Sequence, residues 1–170
     1  MKAMILFQSE RLLVKPYSNA DGDIFFRFHG DEEVMRFIRK PKTREESDAF
    51  LIENLKFYKE HPGIGRFAVI EKVSGEHIGS FSLLPLEDTV NYHLGYGFLQ
   101  KAWGKGFATE LVAASIDYTF RAIQREIIMA ITLPQHIASQ KVLLKAGFVE
   151  SGTIIQEGEI LKMFCLQKKK

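Results

Sequence analysis

The sequence predicts a mixed α/β (α+β) domain built on one sheet of about seven strands, mostly antiparallel and flanked by helices. Three observations carry this expectation. The spacing of apolar residues changes from helical in the first third of the chain to alternating in the centre. Turn residues at Ser74-Gly75-Glu76 and Glu157-Gly158 separate β-like runs closely enough to make hairpins, hence antiparallel pairs. Helix-like stretches divide the later strands, and a helical crossover makes the strands it joins parallel.

The elements follow in order. Glu10 to Tyr17 (ERLLVKPY) is a short strand closed by Pro16. From Asp21 to Ile38, Ile24, Phe25, Phe28, Val34, Phe37 and Ile38 recur at roughly helical spacing, and Gly30-Asp31 divides the segment into two short helices. Thr43 and Glu46 form a capping-box pair that opens a longer helix with Phe50, Leu51, Leu55 and Tyr58 as its stripe. His61-Pro62-Gly63 stops it. Strands RFAVIEKV, HIGSFSLL and VNYHLGYGFL come next, then a helix from about Lys105 to Ala122. Strand Glu126 to Leu133 precedes a helix from Ile137 to Ala146, which ends at Gly147 in the left-handed cap position. FVESGTII and EILKMFCL close the chain as a hairpin.

Composition narrows the function classes. The 170 residues fit a single domain spanning residues 1–170, and a net charge of +2 is too small for the basic stripe of a nucleic-acid binder. Lys168-Lys169-Lys170 reads as a solvated tail. One cysteine, Cys165, excludes an internal disulfide and a cysteine-rich zinc site; in its apolar run it reads as a buried, inert thiol. No metal is expected. Met1 to Phe7 is too short for the apolar region of a signal peptide, and no apolar run approaches a membrane span, so a cytoplasmic protein is expected.

The stretch WGKGFATE (Trp103 to Glu110) carries the chemistry. Two glycines bracket a lysine and good helix formers follow, which is how a chain holds a phosphate on a helix start. A nucleotide P-loop requires G-x-x-x-x-G-K-S/T, and Leu99 stands where its first glycine belongs. A dinucleotide fingerprint fits poorly, with Thr109 at the third glycine and the motif mid-chain after a hairpin. The strand just before it puts Tyr92, Leu94, Tyr96 and Phe98 on one face and Asn91, His93, Gly95 and Gly97 on the other. Two glycines on one face forgo packing. That reads either as a bend or bulge or as a ligand lying against the backbone.

The loop W-G-K-G-F-A resembles the Q/R-x-x-G-x-G/A motif of GNAT-superfamily N-acetyltransferases. Trp103 takes the Q/R place, Gly106 the first glycine and Ala108 the last small residue. With SERLLVKPY, DEEVMRFI, LGYGFLQKAWGKGFATE and HIASQKVLLKAGF, the resemblance covers essentially the whole chain and is similar to the RimJ/RimL-like branch, which acetylates N-terminal amines of ribosomal proteins and assorted small amines. It implies the GNAT fold, acetyl-CoA as cosubstrate and an amine acceptor as partner. It also implies that Gly104, Lys105, Gly106, Phe107, Ala108 and Thr109 hold the pyrophosphate, with Lys105 at the rim. Tyr96, Gly97 and Phe98 would then lend backbone groups to the pantetheine arm and thioester, the ligand acting as an added strand.

The last block is similar to the family pattern N-x-x-A/S-x-x-x-Y-x-K-x-G-F. His136 replaces the asparagine, Ser139 is the small or serine position, Leu143 replaces the tyrosine, and Lys145, Gly147 and Phe148 match. Leucine donates no proton, so Ser139 inherits the role of general acid, and His136 can hydrogen-bond the cofactor. An aimed N–H for the carbonyl oxygen is expected from a bulged strand near Phe98. For the base that deprotonates the amine, His93 leads, with an ordinary imidazole pKa near 6.5 and His77, Glu157 and Glu159 as rivals. The departures at His136 and Leu143 leave a non-catalytic coenzyme A-binding or sensing module as the alternative. Acceptor determinants are expected on Asp21 to Glu60 and the last hairpin. The phenylalanines there (Phe25, Phe26, Phe28, Phe37, Phe50, Phe57) are mostly assigned to a packed core. Monomer and homodimer are both compatible with the sequence.

Overall fold

In the computed structural model, residues 4–170 are described; Met1 to Ala3, the start of the stretch read above for a leader, lie outside them. Eight strands form one sheet in the order β1-β2-β3-β4-β5-β6-β8-β7. They are β1 (Phe7–Gln8), β2 (Leu12–Pro16), β3 (Gly65–Glu71), β4 (His77–Pro85), β5 (Tyr92–Phe98), β6 (Ile127–Thr132), β7 (Val149–Gln156) and β8 (Glu159–Gln167). Every neighbouring pair is antiparallel except β5 and β6. The strand beyond the expected seven is β1, two residues paired with Val14 and Leu13. No helix among the described residues is long and apolar enough to cross a membrane.

Five helices cover the two faces. On one lie α1 (Gly22–His29), α2 (Glu32–Met35) and α3 (Arg44–Glu60); on the other lie α4 (Phe107–Arg121) and α5 (Ile137–Lys145). The larger core sits under α4 and α5, where Leu111, Val112 and Leu143 meet Phe67, Phe81, Leu94, Ile128 and Phe164 from the sheet. A smaller core of Tyr17, Phe25, Leu51 and Ala68 holds α1 and α3 on the opposite face.

Local chemistry explains the element ends. Thr43 and Glu46 cap α3 reciprocally, and His61 ends it. Gly147 has φ +99°, the left-handed conformation that terminates α5 without a Cβ clash. Glu157 and Gly158 have φ +51° and +80°, so the last hairpin turns on a two-residue type I′-like pair that matches the strand twist. Two expectations change. Cys165 is half-buried rather than fully enclosed. The inward side of α3 is also more polar than its stripe implied, because Ser47 and Asn54 are buried beside Leu51. Asn54 has a specific task there. Its amide donates to the Arg66 carbonyl at 2.9 Å and accepts from the Arg66 N–H at 3.0 Å, pairing with β3 as a strand would.

Candidate active site

The site begins where the sheet opens. The two parallel strands β5 and β6 pair at Tyr92↔Ile128, His93↔Met129 and Leu94↔Ala130, and pairing stops there. The rest of β5 keeps unbroken register with β4 from Tyr92 to Phe98, so the expected bulge near Phe98 is absent. What presents backbone groups is the divergence from β6. Leu99 donates to Ile78 on β4. By the alternation of an antiparallel ladder, the N–H and C=O groups of Phe98 and Tyr96 therefore point the other way, into the opening. Gly97, grouped with them in the sequence reading, directs its own backbone groups at β4 instead. The Phe98 carbonyl is taken by the Trp103 indole, whose Nε1 donates to it at 2.7 Å. The Tyr96 backbone and the Phe98 N–H thus form an open strand edge inside the molecule.

The faces of Gly95 and Gly97 have a different explanation from bare backbone awaiting a ligand. A Cβ on Gly97 would meet Phe28 and Ile38 at 2.9 Å, and one on Gly95 would meet Ser82 Oγ at 2.7 Å. Side-chain atoms already occupy that space, so a larger residue at either position would make them shift. The part of β5 left open is its edge.

Across the opening lies the glycine loop. Gly104 and Gly106 have φ +71° and +79°, a left-handed path that suits glycine, and Gly106 is the N-cap of α4 with no side chain to cap it. The N–H groups of the first turn, Phe107 to Thr109, are left facing outward with the positive end of the helix dipole behind them. A Cβ on Gly104 would meet nothing within 4 Å, which leaves the space before the loop clear. Lys105 is exposed, and its carbonyl accepts from Arg11 at 2.9 Å.

Arg11 and Glu110 are residues the sequence reading did not single out. Glu110 accepts from Ser9 Oγ at 2.6 Å, from the Arg11 N–H at 2.7 Å and from Arg11 Nε at 2.7 Å. The Arg11 guanidinium lies 4.4 Å from the Phe107 ring centre. This clamp ties β2 to the loop and the first turn of α4. Burial pushes the Glu110 carboxyl upward, but the hydrogen bonds from Ser9 and Arg11 and the Arg11 charge outweigh it and hold the group below its ordinary value.

A cleft of about 470 Å³ joins these parts. Strand β5 contributes Tyr96, Gly97 and Phe98, and the loop contributes Trp103, Gly104, Gly106, Phe107, Ala108 and Thr109. His136, Ser139 and Val142 form one further wall, and Phe37 and Ile38 another. His136 and Phe37 stack at 4.6 Å, closing one end between the two helical layers. Burial holds the His136 imidazole below its usual pKa.

Ser139 is buried, and its Oγ lies 2.8 Å from the Tyr96 hydroxyl. Burial raises the phenol to about 12 against the opposing hydrogen bond from Ser139, so Tyr96 keeps its proton. Leu143, at the place of the family tyrosine, points into the main core rather than the cleft. A phenol is present after all, but it comes from β5.

His93 is not among the cleft-lining residues. It lies half-buried on the opposite face, and burial first, then the Arg66 and Arg39 charges, lower its pKa to about 4. The expectation of an ordinary imidazole near 6.5 is therefore replaced by one that is neutral throughout the physiological range. His77 is likewise held at about 4, chiefly by burial, and donates to or accepts from the Tyr17 hydroxyl at 3.1 Å. Among the described residues no group of three or more His, Cys, Asp or Glu is placed to hold a metal.

A helix start thus faces an open strand edge across one cleft, in a sheet split between two parallel strands. The chain belongs to the acetyltransferase (GNAT) domain family, whose model matches residues 11–149. It is 25% identical over 154 residues to the uncharacterized N-acetyltransferase YoaA of Bacillus subtilis, covering 89% of this chain and 86% of that one. Solved structures agree on the fold. A GNAT-family acetyltransferase from Bacillus anthracis superposes with a TM-score of 0.81 at 23% identity, over 96% of this chain and 98% of that one. RimL, a ribosomal L7/L12 α-N-protein acetyltransferase solved with coenzyme A, superposes with a TM-score of 0.82 at 15% identity, over 97% and 98%.

Proposed function

We propose that the protein transfers an acetyl group from acetyl-CoA to a primary amine, by direct attack of the amine on the thioester. The observation that carries this is the end of β5–β6 pairing at Leu94, opposite an uncapped helix start across one continuous cleft. These residues fit the cosubstrate. The open edge at Tyr96 and Phe98 suits the amide-bearing pantetheine arm, and the Phe107 to Thr109 N–H groups suit the pyrophosphate. Acetyl-CoA supplies an activated acyl group and a good leaving group.

The chain's own groups do the rest. The Phe98 N–H, free of a sheet partner, is the donor for the carbonyl oxygen as charge develops on it. Ser139, hydrogen-bonded to Tyr96, presents a donor to the departing sulfur, and the phenol behind it steadies that donor. His93, which lies outside the cleft lining, is the proposed base, acting through water in its neutral form. The acceptor is a protein N-terminus or a small-molecule amine. Release of free thiol from acetyl-CoA by the purified protein, dependent on added amine, tests the reading. Binding of acetyl-CoA without turnover across a broad amine panel would reject it.

A further inference from the structure

Beneath α1 to α3, on the face of β5 that carries His93, Gly95 and Gly97, three cations converge on one phenyl ring. Arg66 lies 4.4 Å, Lys42 4.5 Å and Arg39 5.4 Å from the centre of Phe50. All three are half-buried, and among the described residues none makes an ion pair. Elsewhere, even well-exposed Arg44, Lys101 and Arg121 find carboxylates. Glu53 and Glu157 are close enough to act on Arg66 and Arg39 through charge, but neither contacts them as a salt bridge. Burial and mutual repulsion lower the Arg66 guanidinium to about 10. Gathering unpaired positive charge in a half-buried space is unfavourable unless an anion joins it.

The cluster is held in place outside the cleft lining, on the sheet face that also carries the β5 glycines. Asn54 fixes the Arg66 backbone on both sides. Across the sheet, Arg66 stands directly opposite Ser82 and Ser82 opposite Gly95, so all three lie on one face in one row. Arg66 is therefore two strand spacings, roughly 10 Å, from the β5 backbone, within the combined reach of an arginine and a small ligand. Arg39 follows Phe37 and Ile38, which line the cleft. Arg66 and Arg39 also act on His93 through charge.

Resting on the acetyltransferase reading above, we infer that Arg39, Lys42 and Arg66 form an oxyanion-binding subsite, so that the acceptor is a small amine that itself carries a carboxylate or phosphate group. The arginine forks match such a group in geometry as well as charge. Polycationic amines are repelled by the same cluster. The positive field also favours the neutral form of an incoming amine, which is the form that attacks.

The test uses the full chain with acetyl-CoA and acceptors in matched pairs: alanine against alaninamide, and phosphoethanolamine against ethanolamine, with spermidine and kanamycin as cationic arms. The anionic member of at least one pair is expected to exceed its partner in kcat/KM by about tenfold or more, as for a lost hydrogen bond to a charged group. The two pairs distinguish carboxylate from phosphate. Arg66→Gln and, should that variant fold poorly, Lys42→Gln are expected to erase most of this preference while leaving acetyl-CoA affinity unchanged. Equal or better use of the neutral or cationic amines overturns the inference, as does a preference that survives both substitutions. Turnover of any amine upholds the acetyltransferase reading independently. If none is turned over, calorimetric titration of alanine and of inorganic phosphate into wild type and Arg66→Gln decides the subsite, and absence of arginine-dependent binding rejects it.

Discussion

Around β5, the opening toward β6 presents backbone groups, whereas the face beneath α1 to α3 carries a cluster of charged side chains. On the first side the groups proposed for recognition are the Tyr96 and Phe98 edge and the first turn of α4, with the helix dipole behind it. On the second, Arg39, Lys42 and Arg66 crowd one ring without a counterion. Backbone recognition suits a ligand with repeated amides and a phosphate end, and one sequence of glycines encodes it. Side-chain recognition depends on three residues brought together from a loop and a strand. The two halves should therefore fail separately.

The largest expected effect is on the backbone side. Gly106→Val places a β-branched residue at φ +79°, which costs about 1–2 kcal/mol in the helix cap and obstructs the approach to the first-turn N–H groups. Acetyl-CoA affinity by calorimetry should fall by on the order of 100-fold or more, with a circular-dichroism melt showing only modest destabilisation. Unchanged affinity would break the assignment of the loop. Next comes the hydroxyl pair. Ser139→Ala should lower kcat by about 100-fold and Tyr96→Phe by about tenfold, both with acetyl-CoA affinity nearly intact. A double variant no worse than Ser139→Ala would show that the phenol acts through the serine.

On the charged side the effects are smaller and are read through pH. His93→Gln should reduce kcat by a similar factor, about tenfold, at every pH from 6 to 9, because the imidazole at about 4 is already neutral there. A loss confined to the neighbourhood of pH 7 would restore an ordinary histidine. Stability carries the last prediction. His29, His77 and His93 are held at about 2, 4 and 4 against a usual 6.5, burial being the first cause in each. Folded pKa values below the unfolded ones mean that their contribution is complete above pH 6.5. It is lost as pH falls below that, because the unfolded chain takes up protons the native state refuses. The slope between pH 6 and 4.5 should reach roughly 4 kcal/mol per pH unit for three such groups, measured by denaturant melts. His29→Phe should flatten it, since that ring already sits among Phe25, Phe28 and Phe50 and neither ring nitrogen has a hydrogen-bond partner.

Much of this was legible in the sequence where the signal is local. The Thr43–Glu46 box, the Gly147 stop and the Glu157-Gly158 turn each state a backbone conformation within a few residues. The helix start after Gly106 was readable for the same reason. Strand β1 was not, because two residues have no period and exist as a strand only through Val14 and Leu13. The bulge near Phe98 was inferred from glycines whose actual cause is the bulk of Phe28, Ile38 and Ser82 on neighbouring elements. Arg11 and Glu110 lie 99 positions apart, and no periodicity links them. The Phe50 cluster is half visible, since Arg39, Lys42 and Phe50 fall within the Asp21 to Glu60 region whereas Arg66 lies outside it on β3. The sequence points to the Tyr96 backbone alone; the place of its hydroxyl beside Ser139 depends on α5 packing near β5, which no local pattern encodes.

On the proposed function, the parting of β5 from β6 also makes the sheet a structure that a bound ligand would complete. Amide protons at Tyr96 and Phe98 lack a ladder partner on that side, so in the free protein they should exchange with solvent orders of magnitude faster than those of Leu83 or Ala130 in the same sheet. A bound strand mimic would slow them selectively. Exchange at two backbone positions thus becomes a readout of occupancy, independent of turnover and of the identity of the amine.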